Sequence, residues 1–542
     1  MSASRERKKR VAQNAASQPE VKKEKKKLSE GWIFAICIIL VVALVFGGIF
    51  LYRHYQAHRT VLTVGDHEVE VYEFNYFYRD LAASVDSYAT YFGIDNAKPL
   101  DEQKVASASL SMAGLFGINT TCLEGKEVVD GAYNVTWAEL LSDNAMRNAA
   151  SAYAVYQEAT KAGFQLDEED YAEFDTIIAE IKTYADLNAM SVDEYIEEVF
   201  GRGCDEESYR HYLEVTHTAS HYPETLTYTA EELAARYDEA PEEFDTVAFY
   251  YYATDASTIQ AKLEAEAAEG EDETAEGETE AVEGEKEKLD LLAKDAAEAM
   301  AKEFNIDDDG VKVYADYNRQ YLEEMLYSVR MPEEAVTWLY EEAVADEVKM
   351  FTIEEDPEVE DDETLYVVLK FITNENYNTY NYISITVADD AEDAELAEGE
   401  KTAEEKVAEI KASLEADPSE ENFRALVLAN LDHTHAEGEE HDHDHSNEGV
   451  AENQSRYSFT SVSKELYAWM TIEPRATGDW TMIELEGKTV FYFYLGEGEN
   501  YNDICVENTL LNEWYTELTE AAIAACDYDK DAALAAKVGF YS

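Results

Sequence analysis

Five histidines, His433, His435, His441, His443 and His445, fall within the run HTHAEGEEHDHDH. They alternate there with Glu437, Glu439, Glu440, Asp442 and Asp444. Imidazole mixed with carboxylate suits Zn²⁺, Ni²⁺ or Cu²⁺, which hold imidazole more tightly than carboxylate alone. A structural zinc site needs four fixed ligands, whereas a His-Asp-His-Asp-His run offers many interchangeable ones. Buffering or sensing is therefore the chemistry expected of this loop, with affinity falling below about pH 6.5 as the rings protonate. The same run also reads as a solvated acidic insertion with incidental histidines. A second group, His211, His217 and His221, lies near one helix end. It reads either as a metal face or as surface and capping residues. No G-x-S-x-G, Walker, H-E-x-x-H or G-x-G-x-x-G motif is present, so hydrolytic and nucleotide chemistry have no sequence support.

These residues sit in a chain of 542 with a formal net charge of −76. Such a surface repels phosphate backbones, which excludes nucleic acid as a partner. It would keep the protein soluble and could attract cations. The charge is unevenly placed: before Trp32 there are 10 Lys/Arg against 4 Asp/Glu. Trp32–Tyr52 follows as 21 residues without a charge, roughly 30 Å of helix and enough to cross a bilayer. With Arg5–Arg10 and Lys22–Lys27 before it, the positive-inside rule places the N-terminus in the cytoplasm. The competing reading is a cleaved signal peptide, but the run is longer than a usual h-region and no A-x-A site follows it, so an uncleaved signal-anchor is expected. The expected location is the cell membrane, single-pass, with the N-terminus cytoplasmic and the bulk of the chain extracytoplasmic. Of the five cysteines, Cys37 lies in the apolar run. Cys122, Cys204, Cys505 and Cys526 are too scattered for a disulfide framework, leaving either bridges among them or buried thiols.

The remaining chain divides by texture. Residues 61–240 read as helical, with capping boxes at Thr136–Glu139, Ser191–Glu194 and Thr229–Glu232 and helix starts at Asp167 and Asp205. Phe244–Ala253 then reads as a buried strand. An acidic low-complexity stretch at 262–288 follows, expected as an exposed loop or solvated helix. Beyond it the chain repeats an α+β unit. Each copy has a Trp in a helix (Trp338, Trp469), a short strand, a turn and a long strand, closing on Glu375-Asn376-Tyr377-Asn378 and Glu499-Asn500-Tyr501-Asn502. Aromatic runs such as Tyr72–Tyr78 and Phe249–Tyr252 are either core or client-binding surface.

The segments VLTVGDHEVEVYEFNYFY, Trp137, AGFQLDEEDYAEF, MSVDEYIEEVFG and TYTAEELAARYDE together resemble the SurA/PrsA-type extracytoplasmic foldases. ATGDWTMIELEGKTVFYFYL resembles the closing strand pair of parvulin-type prolyl isomerases, at Gly478, Asp479, Gly487 and Val490. Parvulins face two histidines across a cleft from their first and last strands. Here DTVAFYYYA, NYISITV, LYVVLKF and TVFYFYL contain none.

The apolar run, the internal repeat and the resemblance together lead to the expectation of an α+β protein with a single N-terminal transmembrane helix, a helical SurA-like chaperone domain and two tandem parvulin-like units. The segments are a basic cytoplasmic tail (1–31), the membrane helix (32–52), the chaperone domain (61–240) and a first degenerate parvulin-like domain (241–380). A second such domain (381–500) carries the His-rich loop (432–446), and a helical segment (501–542) closes the chain. The implied function is a membrane-tethered foldase that binds unfolded or newly secreted polypeptides, with isomerase activity weak or lost. It requires no cofactor, and its partners are those polypeptides and the bilayer. The alternatives are a surface metal binder acting through the His-rich loop, or an active isomerase.

Overall fold

Caps and turns written in the sequence set most element ends in the computed structural model. It describes residue 48 and residues 51–535, apart from 53, 271–282, 325–330, 356–362, 391–400, 431–447 and 473. By contacts, the described residues form two units. One holds those up to Leu226 together with those from Trp514 on, and the other holds Thr227–Glu513.

The first unit opens on a hairpin, β1 (Thr60–Val64) and β2 (His67–Glu70), which turns at Gly65-Asp66. Helix α1 (Val71–Ser87) follows, started by a capping box in which Glu70 and Glu73 serve each other's backbone. A small sheet of β3 (Lys104–Ala106), β4 (Val128–Val129) and β5 (Ala132–Thr136) leads into α2 (Trp137–Ala162). Thr136 and Glu139 box the start of α2, and Gly163, at φ 77°, ends it in the left-handed conformation a Cβ disfavours. Asp167, Ser191 and Asp205 cap α3 (Glu168–Leu187), α4 (Val192–Phe200) and α5 (Glu206–Glu224). Phe74, Tyr76 and Phe77 of the aromatic run are core.

The second unit begins with α6 (Ala230–Glu239), boxed by Thr229 and Glu232, and contains two sheets of one design. The first is built from β6 (Thr246–Thr254), β7 (Val311–Asn318), β8 (Val348–Ile353) and β9 (Leu365–Thr373). Between β6 and β7, the acidic stretch is helical at both ends, as α7 (Ala256–Gly270) and α8 (Glu283–Lys302). Helix α9 (Glu333–Glu341) buries Trp338 on the sheet. The second sheet comprises β10 (Asn378–Ala388), β11 (Val450–Gln454), β12 (Trp480–Leu485) and β13 (Lys488–Asn500). Helices α10 (Ala403–Ala416), α11 (Glu420–Ala429), α12 (Arg456–Thr460) and α13 (Lys464–Thr471) punctuate it.

The strand orders are β7-β6-β9-β8 and β11-β10-β13-β12, antiparallel throughout, so the repeat is one of topology. Strands β7 and β11 are absent from the sequence reading. Each carries a register shift against its neighbour and one left-handed residue, Asp316 (φ 62°) or Asn453 (φ 51°). Asp and Asn are among the side chains that tolerate this conformation at a bulge. The two Glu-Asn-Tyr-Asn tetrapeptides meet: Asn376 Nδ2 donates to Asn500 Oδ1 at 2.8 Å, and Tyr377 stacks on Tyr501 at 5.1 Å.

From the second tetrapeptide α14 (Tyr501–Ala525) carries the chain back to the first unit. There β14 (Asp527–Tyr528) pairs with β1, and α15 (Lys530–Ala535) adds Ala532 and Ala533 to its core.

The fold class needs one correction. The protein is α+β with helices and four small sheets, and among the described residues no helix is long and apolar enough to cross a membrane. The longest, α2 and α14, carry charges such as Glu139, Asp143, Glu158, Asp503 and Glu517 along their length. Of the expected span 32–52, all but Gly48, Leu51 and Tyr52 lies outside the described residues, as does the basic stretch 1–31. Cys122, Cys204, Cys505 and Cys526 are free, and burial pushes the Cys204 thiol up to about 12.

Candidate functional site

Three helices of the first unit each turn one stripe of side chains toward a shared groove of about 500 Å³. From α1 come Phe77, Asp80, Leu81 and Ser84, spaced i, i+3, i+4, i+7. From α5 come Tyr212, Thr216, Ala219 and Ser220, spaced i, i+4, i+7, i+8. Asn148, Ser151 and Ala152 of α2 and the exposed Tyr515 of α14 complete it.

The floor is held rigidly. Tyr76 is fully buried one residue before Phe77, and its hydroxyl meets Ser208 Oγ at 2.8 Å, tying α1 to the start of α5. Its ring stacks on Tyr212 at 5.1 Å, and Phe77 meets Tyr212 edge-on at 5.0 Å. Behind them Tyr153 of α2 donates to Glu73 Oε1 at 3.1 Å, and His67 Nε2 lies 3.2 Å from the same oxygen. Burial alone would raise the Glu73 pKa, but the hydrogen bonds from His67, the Glu70 amide and Tyr153 outweigh it and hold the carboxyl below its ordinary value.

Tyr212 Oη donates to Asp80 Oδ2 at the groove's edge. The Asp80 carboxyl is open to solvent on one side yet crowded by protein on the other, and that desolvation raises its pKa. Ser84, Ser151, Ala152, Ala219 and Ser220 keep the walls low, so the backbone of a bound segment could approach closely. The groove therefore combines an aromatic floor with a carboxylate, an amide and hydroxyls at its rim. That mixture accommodates polypeptide of varied sequence.

In the second unit the sheet faces are packed among the described residues. Tyr250 and Tyr252 of β6 and Tyr492 and Tyr494 of β13 share one core with α8, α12 and α13. The opposite faces are covered by Trp338 and Leu339 in the first sheet, and by Leu414 and Phe423 in the second. A cavity of about 470 Å³ lies instead along β7, lined by Lys312, Tyr314 and Tyr317 with Tyr457 and Lys464. It contains no histidine.

His433, His435, His441, His443 and His445 all lie outside the described residues, between α11 and β11. Of the other group, His211 Nδ1 lies 3.6 Å from Glu214, while His217 and His221 both face Asp170 of α3. Sequence reasoning missed Asp170 and the groove residues Asp80, Asn148 and Thr216. Their helical spacing is visible, but no spacing within one helix says which stripe another helix will meet.

Comparison with known proteins adds little to this geometry. A crystal structure of foldase protein PrsA from Streptococcus pneumoniae aligns with 57% of this chain and 95% of its own. The identity is 13% and the TM-score 0.14. Backbones that agree so loosely do not decide fold or function. No protein-family model and no curated protein matches the chain.

Proposed function

We propose that the protein is a foldase-type chaperone that holds non-native polypeptide segments in the groove between α1, α2 and α5. The observation that carries this reading is the convergence of three helical stripes on one groove with an aromatic floor and small-residue walls. Aromatic side chains give contact area at low entropic cost, and small walls admit a main chain whatever its side chains. The sequence likeness of residues 61–240 to extracytoplasmic foldases agrees with it. The acidic surface would keep the chaperone itself from associating at high concentration.

The test is suppression of aggregation of an unrelated unfolding protein by the full chain, compared with Ser84→Trp and Asn148→Trp. Both positions are exposed on the groove lining, so the indole fills space without entering the core. Suppression by the wild type that either substitution weakens roughly tenfold, about 1.4 kcal/mol, supports the reading. Suppression that both variants keep in full, or none by the wild type, removes it.

A further inference from the structure

We propose a transition-metal site of the Zn²⁺ class formed by Asp170, His217 and His221, joining α3 to α5 on a side of α5 that does not line the groove. The two histidines are four residues apart on α5, so their rings rise from one face. His221 Nδ1 stands 3.0 Å and His217 Nδ1 3.6 Å from the same atom, Asp170 Oδ1, and the three ligand atoms lie within 4.8 Å of one another. A tetrahedral ion with bonds of ~2.0–2.1 Å sets its ligands about 3.3 Å apart. Small side-chain rotations therefore bring all three onto one ion.

Two further features separate this cluster from an ordinary Asp–His pair. Asp170 is buried and already oriented, because its second oxygen accepts the Asp167 backbone N–H at 3.0 Å in the capping box that starts α3. Such a bond from outside the coordination shell fixes the ligand that an ion would meet. His217 Nδ1 is buried with no hydrogen-bond partner among the described residues, while its ring packs edge-on against Phe174 at 4.7 Å. Asp170 Oδ1 is close enough to His221 for a hydrogen bond and too far from His217 for one. One shared cation satisfies all three groups, which a single proton cannot do. Two imidazoles and one carboxylate suit Zn²⁺, Ni²⁺ or Cu²⁺, and His221, partly exposed, leaves an entry path and room for water as a fourth ligand.

The ion would staple α3 to α5, the helix that contributes Tyr212, Thr216, Ala219 and Ser220 to the groove. Its effect would be to fix the groove wall, with no part in chemistry.

The test must exclude the His-rich loop, so it uses the full chain with His433, His435, His441, His443 and His445 all changed to Asn. Zn²⁺ titration against a chromophoric chelator, with a thermal melt of the chelator-stripped and Zn²⁺-loaded protein, should show one saturable site that raises the melting temperature. Adding His221→Ala should weaken that site by more than the roughly 10–100-fold expected for loss of an outer partner. Co²⁺ should give a tetrahedral visible spectrum that disappears with His217→Ala. A melt of each variant without metal, equal to that of the parent, shows that it still folds; for one that does not, the Co²⁺ spectrum of Asp170→Asn replaces it and should change in intensity. No saturable Zn²⁺ site in the loop-substituted chain, or one that survives loss of both His217 and His221, overturns the proposal.

Discussion

Aromatic residues serve opposite ends in the two units. In the first, Phe77 and Tyr212 sit at the bottom of an open groove, with Tyr515 left exposed at its rim. In the second, Tyr250, Tyr467 and Tyr492 are sealed between two sheets and three helices, and the opposite face of each sheet is packed as well. The strands of the two sheets contribute packing on both faces among the described residues, and none of them carries a histidine. An open concave surface with small lining side chains is what the three helices of the first unit provide.

The largest effect should come from the closed core. Phe459 is 1% exposed and touches Tyr380 and Tyr382 at 5.5 and 6.0 Å. Phe459→Ala should lower the unfolding free energy by about 3–5 kcal/mol, read by denaturant melts. A loss below about 1 kcal/mol would mean the shared core is loosely packed and the contrast between the units is overstated. Next comes the open groove. Tyr212→Ala should weaken binding of an unfolded polypeptide roughly tenfold, about 1.4 kcal/mol, whereas Tyr212→Phe, which loses only the bond to Asp80, should weaken it less. Equal losses would shift the weight from the aromatic floor to the hydroxyl. A smaller effect falls on the helix that brings Asn148 and Ser151 to the groove: Thr136→Ala, removing the N-cap of α2, should cost about 1 kcal/mol.

The weakest contrast is one of pH. Glu73 in the first unit is held below its ordinary 4.5, so its contribution is present above that value and is lost as pH falls through the lowered one. In the second unit, Asp316 is raised above its ordinary 3.8 by burial, although Tyr377 Oη and the Tyr457 amide donate to it at 2.9 and 2.7 Å. Its contribution is present below 3.8 and is lost as pH rises through the raised value. Glu73→Gln should therefore flatten the acid side of the stability profile. Asp316→Asn should relieve a loss on the rising side. Profiles of both variants parallel to the wild type would show that neither carboxyl governs its unit.

Much of this architecture was legible where the signal is local. Thr136, Asp167, Ser191, Asp205 and Thr229 each cap the helix expected of them, because a cap needs only residues three apart in the chain. The strand read at Thr489–Leu495, after a short strand and a turn, is legible from its aliphatic and aromatic run; it lies within Lys488–Asn500, and Gly487 holds φ 74° in the two-residue turn that joins it to Trp480–Leu485. Strands β7 and β11 escaped notice because each is interrupted by a bulge at Asp316 or Asn453, which breaks the two-residue period. The acidic stretch 262–288 carries no periodic apolar pattern and reads as loop or solvated helix, whereas its ends extend α7 and α8. The membrane span expected at 32–52 has no counterpart among the described helices.

The sequence by itself determined where the capped helices begin, that strands occupy all or most of Phe244–Ala253, Leu365–Phe371, Tyr382–Val387 and Thr489–Leu495, and that one α+β unit recurs with its Glu-Asn-Tyr-Asn ending. These follow from backbone hydrogen-bond demand and hydrophobic period, both of which act over a few residues. Only the tertiary structure decided that the chain's end returns to pair β14 with β1, that the two tetrapeptides clasp each other, and that Asp170 meets His217 and His221. Those contacts join residues tens to hundreds of positions apart. Their partners are chosen by which buried faces fit together, and no local pattern encodes that choice.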